Sequence, residues 1–180
     1  MKLSVLAGFA SAVLALILIL QVDTEKPNNG GELMLVATEI TALQTRRYDE
    51  YGELLEQASA NHLIQYDSDE QMLMTGVDVT QSSLENGTWT LAAPQGVGSD
   101  TGNSLELSGG VNISNGTSVT MTTHTMLIDS DDRIAKSGGE VVLTTEKSET
   151  TADGLIINLN TNTATLAGNV NTEYRTERSP

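Results

Sequence analysis

The stretch "LELSGGVNIS", residues 105–114, alternates apolar and polar side chains as a half-buried strand does. Leu105, Leu107, Val111 and Ile113 share one parity, so in an extended chain they face the same side. Gly109 and Gly110 interrupt the alternation, and glycine weakens a strand unless its backbone must bend or bulge. Because the parity resumes beyond them, the two halves read as one ribbon folded over at a corner.

The same layout recurs along the chain. "LIQYDSDEQMLMTGVDVTQ" (63–81), "GVGSDTGNSLELSGGVNIS" (96–114), "MLIDSDDRIAKSGGEVVLT" (126–144) and "IINLNTNTATLAGNVNTEY" (156–174) each hold a short strand, a polar turn, a second strand, a glycine and a third strand. Gly76, Gly109, Gly139 and Gly168 follow one another at intervals of 33, 30 and 29 residues. Asp and Asn suit the turns because their side chains bond the nearby backbone and tolerate left-handed geometry. At Gly76 the apolar parity changes, from Met72 and Met74 to Val77 and Val79, as a one-residue bulge requires. A period near thirty residues marks a repeat architecture. The expected fold is all-β: an elongated β-jellyroll or sandwich of about thirty-residue repeats, preceded by one N-terminal transmembrane helix.

That helix is read from Leu3 to Val22, which are uncharged and mostly aliphatic. Twenty helical residues rise about 30 Å, the thickness of a bilayer core. The run ends in "LILILQVDTE" without the small residues of a signal-peptidase site, so it reads as an uncleaved anchor. Lys2 precedes it and Asp23, Glu25 and Lys26 follow, a weak positive-inside bias that puts the rest of the chain outside the cytoplasm. The expected organisation is an anchor over 1–22, a linker over 23–38, a β domain over 39–176 and a tail over 177–180.

Composition narrows the function. The net charge of −15 argues against nucleic acid, whose phosphates need clustered Lys and Arg. The same charge repels an anionic head group at long range, so an amphiphile would be held through its hydrocarbon. The chain has no cysteine, which excludes disulfides and cysteine metal sites and suits an oxidising compartment. Inward candidates for the apolar face are Val77, Val79, Trp89, Leu91, Leu105, Leu107, Val111, Ile113, Val119, Met121, Val141, Leu143, Leu155, Ile157, Leu159, Leu166 and Val170. Such a face can simply fill a core. Few large rings among Val, Leu, Ile and Met also suit a slot for acyl chains.

The order of the pieces resembles the LptC family, the membrane-anchored periplasmic component of the lipopolysaccharide export machine. The resemblance rests on the N-terminal anchor, "YDEYGELLEQASANHLIQY" (48–66), "TWTLAA" (88–93), "LELSGGVNI" (105–113), "TMLID" (125–129) and "ADGLIINLNTNTATLAGNVNTEY" (152–174). It implies a β-jellyroll with a hydrophobic groove in the bacterial inner membrane, single-pass, with most of the chain in the periplasm. It further implies that lipopolysaccharide arrives from an inner-membrane ABC transporter at the N-terminal edge and leaves to the periplasmic bridge protein LptA at the C-terminal edge. Gly52, in the "YG" turn, and Gly154, in "ADGL", would match two glycines important in that family. The chain is poorer in aromatics than better-known members, so ring contacts with lipid do not carry over.

At the C-terminus, "GNVNTEYR" (168–175) ends the repeat series with no cap beyond it. Val170 and Tyr174 are expected to face inward, with the backbone edge free to pair with a partner sheet near Asn171 and Glu173. The competing reading is a membrane-tethered structural β-solenoid, scaffold or adhesin, that moves no lipid. "DSDDRIAKSGGE" (129–140) imitates a calcium loop but has Ile134 in place of the central glycine and Arg133 at a ligand position. It reads as an acidic turn. His62 and His124 lack an evident acid partner and read as structural. With no nucleophile elbow, phosphate loop or zinc signature, no enzyme, cofactor or metal is expected.

Overall fold

The computed structural model describes residues 36–66, 71–83, 87–99, 103–116, 118–158, 161 and 163–175. The anchor expected at Leu3–Val22, the linker stretch 25–32, Leu159 and the tail 177–180 lie outside the described residues. No helix among the described residues is long and apolar enough to cross a membrane.

Four long strands open the domain: β1 (Val36–Tyr48), β2 (Leu54–Tyr66), β3 (Gln71–Ser83) and β4 (Gly87–Ser99). Ten short ones follow as five broken pairs. These are β5 (Ser104–Ser108) with β6 (Val111–Asn115), β7 (Val119–Thr123) with β8 (Met126–Asp129), and β9 (Ile134–Ser137) with β10 (Val141–Thr145). The last two are β11 (Ser148–Ala152) with β12 (Gly154–Asn158), and β13 (Thr163–Ala167) with β14 (Asn171–Tyr174).

Pairing shows what the breaks mean. β4 pairs with β5 through Gln95–Gly98 and with β6 through Thr90–Ala92, so one long strand spans both halves of the next ribbon. Each later half then pairs antiparallel with its counterpart: β5 with β8, β8 with β9, β9 with β12 and β12 with β13 on one side. On the other side the order is β6, β7, β10, β11 and β14. The chain is therefore an antiparallel meander of long ribbons in sequence order, creased across its middle into two half-sheets. This is the jellyroll expected from the sequence, with the repeat of about thirty residues equal to two ribbons.

The crease can be followed residue by residue. The registers align Ala42 with Asn61, Asn61 with Gly76, and Gly76 with Pro94. Gly109, the His124–Thr125 step, Gly138, Asp153 and Gly168 continue the line at the breaks between the short pairs. Glycines and larger residues alternate along it. A Cβ on Gly76 would strike the Asn61 side chain, one on Gly109 would press on Pro94, one on Gly138 would strike Thr125, and one on Gly168 would overlap Asp153. Each glycine thus lets the side chain of the preceding ribbon lie across the fold. In the third repeat the crowded residue is Gly138 rather than Gly139, which faces open space. Asp153 also accepts from the Asn169 backbone N–H at 3.0 Å and its side-chain Nδ2 at 2.9 Å, tying the last two ribbons together at the bend.

Inside the fold the two half-sheets share one hydrophobic cluster, including Val77, Leu105, Met126, Ile128 and Ile157, each fully buried. Alanines fill much of the remainder: Ala58, Ala60, Ala93, Ala135, Ala152 and Ala164 are all buried. The calcium-like stretch is the β8–β9 hairpin, where Asp129 Oδ1 accepts from the Asp132 N–H at 2.9 Å and Arg133 turns left-handed at φ 53°. No group of acidic or histidine side chains among the described residues could hold a metal ion. His62, expected to lack an acid partner, faces Glu39 across β1 and β2 at 2.8 Å.

Candidate functional site

The inner face and the two sheet edges are the parts of this fold with something to offer a ligand or partner. Of the inward candidates, Val77, Val79, Trp89, Leu91, Leu105, Leu107, Val111, Ile113, Met121, Val141, Leu143, Leu155 and Ile157 are all buried, at 0–5% exposure. Val119 and Leu166 are partly buried against the same cluster. Val170 is half exposed and Tyr174 largely so. Both sit on the last ribbon, where no further ribbon covers the inner face. The sequence reasoning missed Met126 and Ile128, although they alternate with Leu127 and Asp129 as an inward pair should, and it missed the buried alanines.

Among the described residues the sheet ends in two free edges, β1 on one side and β13 with β14 on the other. On β14 the backbone direction is fixed by the Arg175 N–H, which donates to the Lys147 carbonyl at 2.8 Å. Along an antiparallel strand, alternate residues point their N–H and C=O to the same neighbour. The N–H groups of Asn171 and Glu173 therefore point into β11, opposite Thr151 and Glu149. The outward donors belong to Thr172 and Tyr174. Their side chains face inward, since Thr172 Oγ1 meets Thr150 Oγ1 at 2.9 Å and Thr150 is buried.

Gly52 and Gly154 do not come together. Gly52 is in the β1–β2 hairpin with φ 83°, where Asp49 Oδ1 accepts from the Tyr51 and Glu53 N–H groups at 2.8 Å each. Gly154 opens β12 beside the crease, flanked by β9 and β13, so it lies on neither edge.

One polar row interrupts the inner face. Arg47, Glu56, Gln81 and Trp89 are register partners on four successive strands. Arg47 Nη2 donates to Glu56 Oε2 at 2.8 Å, from a half-exposed side chain to a carboxylate that is 1% exposed. Burial raises the Glu56 carboxyl above its usual range, and the hydrogen bond and charge of Arg47 only partly oppose this. The ionised carboxylate therefore works against the fold: the contribution of Glu56 to stability is fullest below pH 4.5 and is lost as pH rises through the raised folded-state value. Glu56→Gln removes this loss, because Gln keeps the shape and stays neutral. Urea midpoints are expected to coincide for the parent and the variant below pH 4.5 and to separate in favour of Glu56→Gln as pH rises. A parent more stable than the variant at pH 7 would show that the Arg47 pair outweighs the burial.

A family model described as lipopolysaccharide-assembly, LptC-related, matches residues 6–175 of this chain. A search of curated proteins finds no match.

Proposed function

This chain belongs to the LptC family, and from that premise we propose that it is the inner-membrane-anchored periplasmic component of the lipopolysaccharide transport machine. The family has a role in lipopolysaccharide transport in the bacterial envelope and is not a known enzyme family. In our reading, lipopolysaccharide arrives from the ABC transporter at the β1 edge, its acyl chains pass along the inner face between the half-sheets, and it leaves to LptA at the β13–β14 edge. Residues 1–22 hold the domain at the membrane, the chain between them and β1 tethers it, the jellyroll begins with β1 at Val36, and 177–180 are a tail.

The observation that carries this reading is a single sheet with two free edges and an apolar inner face running between them. Free edges invite strand addition, because main-chain donors and acceptors form a generic joint. An apolar lining that continues across such a joint would keep acyl chains out of water at every step. The closed packing of the interior is what a scaffold without lipid transfer would also show, so the lipid itself decides between them.

Full-length protein in nanodiscs, incubated with lipopolysaccharide and purified away from excess, is expected to retain it. Leu107→Asp would put an unpaired charge at a fully buried inward position, so a gentler Leu107→Gln should serve as the test. It should reduce retention while circular dichroism stays that of a β protein. Retention of no lipopolysaccharide by the parent would favour the scaffold.

A further inference from the structure

Moving away from the crease on β2, β3 and β4, the first inward row is Ala60, Val77 and Ala93, and the second is Ala58, Val79 and Leu91. The third is Glu56, Gln81 and Trp89. Two apolar rows thus lie next to the crease and one polar row lies beyond them, towards the β1–β2 hairpin. Glu56 is 2% exposed and Trp89 1%. Each carries a buried polar atom, Glu56 Oε1 and Trp89 Nε1, with no hydrogen-bond partner among the described residues. An orphaned buried polar group is costly, and two on one inward row call for a ligand group that serves both.

The two atoms have opposite needs. The indole N–H only donates, and the carboxylate oxygen accepts. A hydroxyl answers both, since its oxygen accepts from Trp89 while its own O–H donates to Glu56. On the crease side of that hydroxyl the ligand must be apolar, because the two rows there carry only Ala, Val and Leu. We propose that Glu56 and Trp89 form a subsite for a hydroxyl group borne on an acyl chain, with the rest of the chain directed towards the crease. Arg47 is a positioning residue, holding the Glu56 carboxylate by its other oxygen. The subsite rests on the lipid-transfer reading and adds a chemical preference to it: hydroxylated chains over plain ones.

Trp89 is the only tryptophan of the 180 residues, so its emission reports on this site alone. Full-length protein in detergent micelles, which add no tryptophan, is titrated with methyl 3-hydroxytetradecanoate and with methyl tetradecanoate, neutral esters that differ only in the hydroxyl. The half-saturation ratio of the two esters is compared between the parent and Glu56→Leu, which cancels their different partitioning into the micelle. The parent ratio is expected to favour the hydroxy ester about tenfold over the Glu56→Leu ratio, as for a hydrogen bond to a charged group. Glu56→Gln, which keeps an acceptor, should restore most of the preference. Equal ratios in the parent and Glu56→Leu, with both esters still moving the Trp89 emission, would overturn the subsite and leave lipid transfer standing. No response to either ester, with lipopolysaccharide also not retained, would overturn both.

Discussion

Thr172→Pro is expected to abolish capture of a bridge jellyroll while leaving the domain folded, and Asn171→Pro to unfold the last ribbon. The two residues are neighbours on β14, but their backbone groups serve opposite sides. The N–H of Asn171 points into β11 opposite Thr151, so proline there removes a ladder bond inside the domain. Losing that donor leaves a ladder acceptor unpaired, at a cost of about 1–3 kcal/mol. The N–H of Thr172 points to the free edge, where proline is tolerated by the fold but cannot donate to an added strand. Thr172→Ala controls for the lost hydroxyl contact with Thr150 and should capture the partner nearly as well as the parent. Pull-down of the partner, read beside thermal unfolding of each variant, separates the cases. If Thr172→Pro captured the partner as well as Thr172→Ala does, the β14 edge would not be the joint.

Gly168→Ala should be among the most damaging single-methyl additions in the domain. Gly168 has φ 81°, left-handed backbone that an L side chain adopts only with strain. The new Cβ would also overlap the Cβ of Asp153, which has no torsion by which to retreat. Strain and overlap together are expected to cost about 2–4 kcal/mol. The loss should fall on the β13–β14 ribbon, because Asp153 at the bend also binds the Asn169 N–H. Gly139→Ala is the matched control, since its Cβ meets nothing within 4 Å and its φ is not left-handed. It should change stability by less than about 1 kcal/mol, and in the stabilising direction if at all. The double variant Asp153→Gly with Gly168→Ala should recover the overlap but not the strain, giving a coupling of at least about 1 kcal/mol. Additive effects in urea unfolding would mean that the two residues do not interlock at the crease.

The sequence carried the ribbons more clearly than the crease. Alternation in "LELSGGVNIS" and its counterparts is a local signal, and the pairs β5–β6, β9–β10 and β13–β14 follow from it. The pairs β7–β8 and β11–β12 bend where no glycine was read as a corner. Asn61, Pro94, Thr125 and Asp153 are the other half of the crease, and nothing local marks them. Their role is to lie over a glycine of the next ribbon, a relation that exists only once the register is set. Ala42, at φ 56° on β1, is invisible for the same reason. Inward alanines were missed because alanine carries too little apolar signal to set a parity. Glu56 was missed because a charged residue in "EQASA" reads as outward, although it keeps step with Ala58 and Ala60. The edge was legible as an edge, yet the choice between Asn171 and Thr172 needed the hydrogen bond of Arg175 to Lys147. Gly52 and Gly154 came from resemblance alone, and the fold puts them in unrelated places.

The central claim is that lipopolysaccharide travels along the inner face, between the half-sheets. Ile156 and Ile157 test it as a matched pair. They are adjacent on β12, Ile157 fully buried on the inner face and Ile156 41% exposed on the outer one. A photo-reactive amino acid is placed at each position in the full-length protein, and the membranes are illuminated during lipopolysaccharide export. The account predicts lipopolysaccharide adducts at position 157 and at most a trace at 156. Adducts at 156 with none at 157 would contradict it.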